Sequence, residues 1–573
     1  MSTFAARMRP EARWSLPAEP EPAAVVALAQ SLRLPETLAA LLIARGRGDP
    51  EAAKAFLRPR LEQLHPPLSM RGMDRAVERL TRAIRDGETI LVHGDYDVDG
   101  MCSTTILVRT IRHLGGTVTP FIPHRLSDGY DLTEAGVRAA AEIGARVVIT
   151  CDCGTSAHAA VDALVRQGVD VIISDHHLPG EAPPECLAVL NPRVMGCDYP
   201  DKDLCAAGVA FKLAVALLEA HGASVNVAYH MLDLVALATV ADVAPLRGEN
   251  RILVRYGLRM MNDTKCVGLR ALIQAAGLEG RELTAGRIAY LLAPRLNAVG
   301  RLGHALRGVE LLLSTDVAHA NAIARELEEL NRTRQSIDRA TLDQARKLTE
   351  ALDPEQTFGV VLGAEGWHPG VIGIVASRLV EELYRPVVLV AIDSGVGKGS
   401  GRSIPAFDLH AGLTSCADVL LRYGGHRAAA GLTMEASRLP ELAERFNAAA
   451  RACLAPEDLV PELRVDLEVP LLRVNEDLET LLRHFEPYGI GNPAPVLVSR
   501  GVKVSVPPRL VGENGVKFRL ADGPAELEGV WWAAADRAPE FPAGSAVDIA
   551  YRLERDVYRG TSRLVARLAD VRR

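Results

Sequence analysis

Short runs of β-branched residues alternate with helical stretches from residue 88 onwards, and this alternation restricts the fold more than any other feature of the sequence. The predicted strands are 89–92, 118–122, 146–150 and 169–173, and the predicted helices among them are 101–114 and 156–167. Such alternation indicates βαβ units and a parallel sheet that is covered by helices on both faces. Because ligands bind beyond the carboxyl ends of the strands in these sheets, we expect functional residues directly after Val92, Thr150 and Ile173.

Three carboxylates follow the first predicted strand within five residues, in the sequence His93-Gly94-Asp95-Tyr96-Asp97-Val98-Asp99-Gly100. Two like charges about 5 Å apart repel by roughly 3 kcal/mol at an effective dielectric constant near 20. The cluster therefore predicts either a bound cation or a shifted protonation equilibrium. The pattern also matches the first half of an EF-hand loop, but the twelfth position is Ile106 instead of glutamate, and a strand precedes the loop. An EF-hand is thereby excluded.

Further residues with metal-ligand side chains lie at the ends of the following elements. Asp152 follows one strand, Asp175-His176-His177 follows the next, and Asp242 follows a predicted helix at 231–240. Each of these alone is more often structural, as a helix cap or a turn residue. Together, at the ends of elements that build one sheet, they predict a shared site. Aspartate and imidazole ligands suit Mn²⁺ or a similar cation, whereas a ligand set without thiolates disfavours structural zinc.

Composition and charge limit the classes of function. Nine cysteines without a repeating spacing argue against a secreted disulfide scaffold. For Cys186, Cys197 and Cys205, buried or free thiols are favoured over the alternative of a zinc site. The net charge of −7 does not by itself suggest nucleic acid, but residues 551–573 hold seven arginines against three acidic residues. The sequence has no run of eighteen apolar residues and no signal-peptide core, so we expect no membrane span and a cytoplasmic location.

The rest of the sequence predicts a long helix, a second α/β segment and a β-rich C-terminal region. The helix is expected at 316–352, and the α/β segment at 358–451. After Pro461, an alternating hydrophobic pattern and a tight hairpin at Asn514-Gly515 indicate a small barrel of the OB type. The expected domains are an N-terminal tail and helical segment (1–55), a catalytic domain with a parallel sheet (56–245), a helical connector with the long linker helix (246–352), a second α/β domain (353–455) and an OB-like barrel (456–573).

The carboxylate and histidine segments resemble motifs I to IV of the DHH phosphoesterase superfamily, which is named for the sequence Asp175-His176-His177. The resembling segments are 93–100, 150–154, 174–177 and 239–243. The resemblance implies a catalytic centre with two Mn²⁺ or Mg²⁺ ions whose ligands are Asp97, Asp99, Asp152, His176 and Asp242. It also implies that Asp152 bridges the ions and that His177 contacts the scissile phosphate or the attacking water. His93 and Asp95 belong to the same loop, either as ligands or as groups that support the ligands.

Other segments resemble the DHHA1 domain and, more narrowly, the bacterial RecJ exonucleases. The resemblance to DHHA1 rests on glycine-rich segments at 366–373, 397–403 and 424–431, in which Arg402 and His426 would donate hydrogen bonds to phosphate. The resemblance to RecJ rests on 123–130, on 294–303 and on the C-terminal β region. It implies that Arg125, Arg301, Ser400 and Arg402 hold the 5′-terminal phosphate. Asp131 departs from the glycine that is usual in the family.

Aromatic residues of the C-terminal region are candidates for stacking on DNA bases. They are Trp531, Tyr551 and Tyr558, together with Phe518 and Trp532. We expect Phe518 and one of the tryptophans to belong to the core of the barrel instead.

The resemblance implies a processive exonuclease that is specific for single-stranded DNA, works in the 5′→3′ direction and releases nucleoside 5′-monophosphates in recombination and repair. A hydrolase of short oligonucleotides or cyclic dinucleotides is the alternative enzyme, and a non-catalytic DNA-binding scaffold is a third reading. The expected partners are a DNA strand with a 5′ end, a single-strand-binding protein and a helicase. The chain itself is expected to be a monomer.

Overall fold

The computed structural model describes residues 11–125, 127–558 and 561–573, the side chains of residues 557, 558 and 561 excepted. By their internal contacts these residues form two compact units. The first unit consists of Pro20–Asn331 and Glu476–Pro495. The second unit consists of Arg332–Asn475, Val496–Arg573 and the described part of Met1–Glu19.

The first unit is built on a parallel sheet of five strands. The strands are β1 (Thr89–Gly94), β2 (Thr117–Phe121), β3 (Val147–Cys151), β4 (Asp170–Ser174) and β5 (Ala188–Leu190). Their order in the sheet is β2-β1-β3-β4-β5, and every pair of neighbours is parallel. Strands β1, β3 and β4 are buried along nearly their whole length, as expected for a sheet that is covered on both faces. The predicted βαβ arrangement is thereby confirmed.

The segment Glu476–Pro495 of the first unit holds the short helix Glu476–Leu482, and in residues 20–331 further helices surround the sheet. They are α1 (Pro22–Leu32), α2 (Glu36–Ala44), α3 (Pro50–Leu57), α4 (Met73–Arg85), α5 (Val98–His113), α6 (Glu134–Glu142), α7 (His158–Arg166), α8 (Ala206–Ala220), α9 (Asn226–Tyr229), α10 (Leu232–Ala241), α11 (Gly248–Met261), α12 (Val267–Ala275), α13 (Ala285–Arg287), α14 (Ala293–Leu302) and α15 (Leu306–Leu313). A π-helical turn, Ile288–Leu292, joins α13 to α14. Helices α8 and α10 are apolar on nearly all sides, because both lie in the core against α5.

Among the described helices none is by itself both long and apolar enough to cross a membrane. The neighbouring helices α1 and α2 reach that length and hydropathy only when they are counted together, and the chain bends by 114° between them.

A long helix and a mixed sheet begin the second unit. The helix α16 (Val317–Thr349) starts in the first unit and ends in the second, which confirms the long helix that was predicted at 316–352. The sheet has the order β9-β10-β8-β7-β6, in which only β6 and β7 are parallel. Its elements are β6 (Val360–Glu365), α17 (Ile372–Leu383), β7 (Val387–Asp393), β8 (Val396–Arg402), α18 (Leu409–Thr414), β9 (Arg422–Gly425), β10 (Ala429–Glu435) and α19 (Leu439–Cys453).

A closed barrel completes the second unit. Its strands are β11 (Leu467–Glu468), β12 (Leu497–Val504), β13 (Arg509–Val511), β14 (Gly515–Asp522), β15 (Ala525–Trp531), β16 (Ala546–Tyr558) and β17 (Thr561–Arg572). The ring β12-β16-β17-β15-β14 closes through pairing of β12 with β14, while β11 and β13 extend its edges. The hairpin predicted at Asn514-Gly515 joins β13 to β14. Two short strands, Arg13–Ser15 and Glu462–Arg464, pair separately.

A buried ion pair connects α8 and α11 in the core of the first unit. The side chains of Lys212 and Glu249 are only 2% and 1% exposed, and their charged atoms are 2.6 Å apart. Glu249 also accepts hydrogen bonds from the hydroxyl of Tyr199 at 2.6 Å and from the backbone N–H of His65 at 2.7 Å. Burial lowers the pKa of Lys212, although the charge of Glu249 opposes that change. The carboxylate of Glu249 therefore accepts hydrogen bonds from three donors.

Replacement of Glu249 by alanine should destabilise the first unit by about 3–5 kcal/mol, because it leaves the ammonium group of Lys212 buried without a counter-charge. Urea-induced unfolding followed by circular dichroism measures the loss. The matched control is Glu219→Ala, which removes an exposed carboxylate of α8 and should change stability by less than about 0.5 kcal/mol. The double variant Lys212→Met/Glu249→Leu should recover much of the stability, and equal losses in the single and double variants would contradict this account.

Candidate metal centre

The loop after β1 holds three aspartates in a compact turn. Asp97 caps α5, since its Oδ1 accepts hydrogen bonds from the backbone N–H groups of Asp99 at 2.9 Å and Gly100 at 3.1 Å. A Cβ atom on Gly100 would lie only 2.4 Å from the backbone oxygen of Asp95, so only glycine permits this close approach. The backbone N–H of Asp95 donates to the carbonyl of Cys151 at the end of β3. The loop is therefore fixed to the neighbouring strand.

The carboxylate of Asp99 is fully enclosed at the N-terminus of α8. Its two oxygens accept hydrogen bonds from the backbone N–H groups of Ala206 at 2.7 Å and Ala207 at 2.8 Å. A helix N-terminus favours negative charge at this position. Burial nevertheless raises the pKa of Asp99 to about 7, and the charge of Asp97 adds to the increase. Two backbone donors do not compensate for the loss of water and the nearby like charge.

Asp152 and His176 extend from the ends of β3 and β4 towards the same place. Asp152 has a φ of +66°, which is rare for a residue with a side chain and turns the chain sharply after β3. The Nε2 atom of His176 lies 3.1 Å from Oδ1 of Asp152 and 3.8 Å from carboxylate oxygens of both Asp99 and Asp242. Asp152 and Asp242 lie 53 and 143 positions after Asp99 in the sequence. All three carboxylates thus meet at one imidazole.

Three overlapping groups of side chains offer ligand atoms within 4.8 Å of one another. The groups are Asp95, Asp97 and Asp152; Asp99, His176 and Asp242; and Asp152, His176 and His177. Asp152 and His176 each belong to two groups, so they join the three groups into one centre. The sequence-predicted residues Asp97, Asp99, Asp152, His176, His177 and Asp242 are therefore brought together, and Asp95 is with them. No cysteine belongs to any of the three groups.

The chemistry of these side chains fits divalent cations. Buried atoms that make no hydrogen bond include Oδ1 of Asp95, Oδ1 of Asp152 and Nε2 of His176. Burial, followed by mutual repulsion, raises the pKa of Asp95 and Asp152 well above the usual value and that of Asp242 to about 8. Burial also lowers the pKa of His176 to about 3, so its imidazole is neutral and has a free lone pair. Cations at the centre would remove both the repulsion and the lack of partners.

His93 lies outside all three groups. Its ring is fully buried, with its centroid 5.3 Å from that of Phe121, and its Nδ1 atom is 3.5 Å from the sulfur of Cys153. Gly136 of α6 leaves room for the ring, because a Cβ atom there would lie 2.8 Å from Nε2. Burial lowers the pKa of His93 to about 4. Its Nε2 atom is also buried without a hydrogen bond, and the two roles predicted for His93, metal ligation and support of the ligands, stay predictions.

Asp175, which the sequence did not single out as a site residue, organises the histidine pair. Its Oδ1 accepts hydrogen bonds from the backbone N–H groups of His176 and His177 and from Nδ1 of His177 at 2.8 Å. Burial opposes the charge on both partners, but their hydrogen bond lowers the pKa of Asp175 well below its usual value and raises that of His177 to about 9. The Nε2 atom of His177 is 3.1 Å from the hydroxyl of Tyr130. Asn191 donates to the carbonyl of His177 at 2.8 Å. The sequence signal that could have identified Asp175 as a site residue was its place in the motif Asp175-His176-His177.

Two predicted phosphate-binding arginines lie near Tyr96. The guanidinium carbon of Arg125 is 4.7 Å from the centroid of the Tyr96 ring, and the charge of Arg301 also acts on that phenol. Burial, the dominant effect, raises the pKa of Tyr96 to about 12. Helix α14, which carries Arg301, lies close to the backbone of Tyr96. Glycine at position 300 permits this approach, because a Cβ atom there would lie 2.1 Å from the backbone oxygen of Tyr96. The structure therefore brings Arg125 and Arg301 to the same tyrosine of the carboxylate loop.

The other predicted phosphate-binding residues belong to the second unit. Arg402 donates to the hydroxyl of Ser400 at 3.2 Å on strand β8. A Cβ atom on Gly373, near the start of α17, would lie 2.9 Å from Oγ of Ser400 and 3.1 Å from a guanidinium nitrogen of Arg402. Serine, arginine and the helix N-terminus thus meet at one place. His426 is exposed, in the turn between β9 and β10.

The stacking role predicted for two aromatic residues of the barrel is wrong. Tyr551 is fully buried, and its hydroxyl is 3.0 Å from Oγ of Ser499. Trp531 is only 7% exposed and packs against Phe541 and Arg537. Neither ring has a face that a base could reach. The side chain of Tyr558 lies outside the described residues, while Trp532 is 45% exposed.

Comparison with known families and proteins agrees with this geometry. The model of the DHH family N-terminal domain matches residues 89–239, that of the DHHA1 domain matches 356–452, and that of the RecJ OB domain matches 465–570. The single-stranded-DNA-specific exonuclease RecJ of Thermus thermophilus is 41% identical over 521 residues, which cover 90% of this chain and 73% of the relative. The chain belongs to the RecJ family.

Other RecJ proteins also match most of this chain. The single-stranded-DNA-specific exonuclease RecJ of Bacillus subtilis is 37% identical over 94% of this chain and 68% of its own length, and that of Escherichia coli is 35% identical over 93% and 95%. The crystal structure of Thermus thermophilus RecJ in complex with Mn²⁺ superposes with a TM-score of 0.85 at 35% identity, covering 98% of this chain and 80% of that one. The RecJ fold, including its OB domain, is therefore established for this chain.

Substitutions at the centre should change the number of bound ions in a graded manner. Asp242→Ala removes a member of one group and leaves the group of Asp95, Asp97 and Asp152 complete, so one of two Mn²⁺ ions should still bind. Asp152→Ala affects two groups and should lower the affinity for both Mn²⁺ ions by at least about tenfold. Electron paramagnetic resonance of free Mn²⁺ during titration counts the bound ions. If the two variants lost the same number of bound Mn²⁺ ions, the assignment of Asp152 as the shared residue would be contradicted.

Proposed function

We propose that this chain is a single-stranded-DNA-specific exonuclease that hydrolyses phosphodiester bonds from the 5′ end and releases nucleoside 5′-monophosphates. The observation that supports this most strongly is the convergence of three ligand groups on Asp152 and His176 in a chain of the RecJ family. The RecJ relatives from Bacillus subtilis, Thermus thermophilus and Escherichia coli are single-stranded-DNA-specific exonucleases, and their similarity covers most of this chain. Recombination and repair are the processes in which such an activity acts.

Mn²⁺ or Mg²⁺ serves as the cofactor, as crystal structures of Thermus thermophilus RecJ with either ion support. Two such ions, when bound, lower the pKa of a water molecule and neutralise negative charge at the phosphorus. Asp97, Asp152 and Asp95 would hold one ion, while Asp99, His176 and Asp242 would hold the other with Asp152 between them. The backbone donors on Asp97 and Asp99 fix the orientation of these carboxylates, which keeps the ligand geometry ready before substrate binds.

His177 would contact the scissile phosphate. Its side chain is 42% exposed, whereas that of His176 is only 10% exposed, so His177 is the imidazole that a substrate can reach. The hydrogen bond from Nδ1 to Asp175 favours the charged form of the ring and fixes the direction of Nε2. A fixed, positively charged donor at the edge of the centre suits a phosphate oxygen.

The 5′→3′ direction would follow from recognition of the terminal phosphate. Ser400, Arg402 and the backbone at the start of α17 form a set of donors with the geometry of an anion site. Arg125 and Arg301 add two cations to the first unit near Tyr96. His426, on an exposed turn, is a further candidate for contact with the phosphate backbone.

Single-stranded DNA would also bind along the barrel. Arg552 and Arg567 are exposed and face each other across β16 and β17, where Glu554 lies 3.7 Å from Arg567, and the two arginines are the candidates for contact with the DNA backbone. Trp532 offers an exposed ring for stacking, and it replaces Trp531 and Tyr551 in that proposed role. Single-strand-binding protein and a helicase as partners, a monomeric state and a cytoplasmic location stay predictions.

A hydrolase of short oligonucleotides or cyclic dinucleotides remains the alternative enzyme. The barrel disfavours it, because a substrate of two nucleotides has no use for an extended DNA-binding surface.

Digestion of one DNA strand labelled at either end tests the direction of cleavage. With Mn²⁺, a 5′ label should be released at once as a mononucleotide, while a 3′ label should remain on a strand that shortens steadily. A chelator should stop the reaction. Asp152→Ala should abolish cleavage and leave DNA binding largely intact, since only the metal ligands change. Earlier release of the 3′ label, or faster hydrolysis of a dinucleotide than of a long strand, would contradict the proposal.

Substitution of Arg402 tests the site for the terminal phosphate. Arg402→Ala should raise the KM for a 5′-phosphorylated strand by about 10-fold or more, because a charge-assisted pair is lost. The KM for the same strand with a 5′-hydroxyl should change by less than about 2-fold. Arg445→Ala, which removes an exposed arginine paired with Asp418 in the same domain, is the control. An equal effect of Arg402→Ala on both strands would show a general role in folding or backbone binding.

A further inference from the structure

Asp131 adopts a backbone conformation that is unfavourable for most residues. Its φ is +76°, in the left-handed region that glycine adopts freely and that aspartate and asparagine tolerate better than other residues. Its Oδ1 atom accepts two backbone hydrogen bonds, from Gly154 at 2.6 Å and from its neighbour Leu132 at 2.8 Å. The carboxylate thus ties the loop after β2 to the loop after β3, which glycine could not do.

The contacts of Asp131 belong to a closed ring that runs through His177. Gly154 is followed by Thr155, whose backbone N–H donates to Oδ2 of Asp175 at 3.1 Å. Oδ1 of Asp175 accepts from Nδ1 of His177 at 2.8 Å, and Nε2 of His177 is 3.1 Å from the hydroxyl of Tyr130. Tyr130 precedes Asp131, so the ring returns to its starting loop. Each residue of the ring is therefore held by the contact before it and the contact after it.

Tyr130 depends on its backbone for its position. The residue is 48% exposed, and its ring meets Tyr96 and His177 only edge-on, with centroids 6.2 Å and 6.0 Å apart. Packing therefore covers only about half of this residue. The two hydrogen bonds of the adjacent carboxylate fix the backbone from which the phenol reaches His177.

We propose that Asp131 is a positioning residue that sets the His177 imidazole for phosphate contact by holding Tyr130 against it. The inference rests on the proposed function of His177, and it assigns to this chain a connection that a glycine at position 131 would lack. Asp131 itself belongs to none of the three ligand groups, so we expect its effect to reach the reaction through the orientation of the His177 imidazole.

Three variants separate the hydrogen bonds of Asp131 from its backbone conformation. Asp131→Gly keeps the positive φ and removes the acceptor, whereas Asp131→Asn keeps both the Oδ1 acceptor and tolerance of that φ. Tyr130→Phe removes the hydroxyl that contacts His177. Hydrolysis of a 5′-phosphorylated single strand with Mn²⁺ gives kcat and KM for each, and Mn²⁺ titration by electron paramagnetic resonance gives the number of bound ions.

We expect kcat to fall about 10-fold in Asp131→Gly, with KM changed less than about 2-fold and two Mn²⁺ ions still bound. Asp131→Asn should retain kcat within about 2-fold of the unaltered protein. In the Tyr130→Phe background, Asp131→Gly should have little further effect, because the contact through which it acts is already absent.

Other results would overturn the proposal. Additive losses of kcat in the double variant would show that Asp131 does not act through Tyr130. Reduced Mn²⁺ binding in Asp131→Gly would place its role at the metal centre, and unchanged kcat would leave it a loop residue without catalytic consequence. Failure of the proposed exonuclease activity itself is distinguishable, because it would leave the unaltered protein inactive on the same strand.

Discussion

Repulsion among buried carboxylates is the constraint on which this structure depends. Asp95, Asp99 and Asp152 are almost fully buried, and Asp97 and Asp242 lie beside them in the same groups. Helix N-termini at α5 and α8 supply backbone donors to Asp97 and Asp99, yet the pKa of Asp99 remains raised by burial. The parallel sheet and its helices must therefore hold together a centre that repels itself until cations bind. The strained backbone of Asp152 and the tight glycine turn at Gly100 are part of that arrangement.

The same residue type has two opposite roles within this centre, and its surroundings decide which. Asp175 accepts four hydrogen bonds from backbone and imidazole donors, so its pKa falls although it is buried. Asp152 is buried, lies next to like charges and has an oxygen without a hydrogen bond, so its pKa rises. The first carboxylate is already compensated and can orient side chains, whereas the second is available to a metal ion.

The sequence was sufficient to predict those parts of the site that follow from strand direction. Asp97, Asp152 and His176 come directly after parallel strands, and the carboxyl ends of such strands lie at one edge of a sheet. Contacts between loops, such as that of Tyr130 with His177, depend on loop conformation and could not be predicted. Tyr551 shows a different limit: it alternates with the buried residues Val547 and Ile549, but the sequence does not indicate which face of the strand lies inside the barrel.

Selectivity for a strand of DNA has to arise mainly outside the metal centre. The side chains of the three ligand groups are all acidic or imidazole groups, and they suit the phosphodiester and its cations, which every nucleic acid provides. They offer no surface on which several successive bases could bind. The domains at 356–452 and 465–570 carry the serine, arginine and exposed tryptophan residues to which the proposed function assigns recognition of a terminal phosphate and of unpaired bases. Under the proposed function, the first unit supplies the hydrolytic chemistry, and selectivity for a single strand is expected to depend mainly on the second unit.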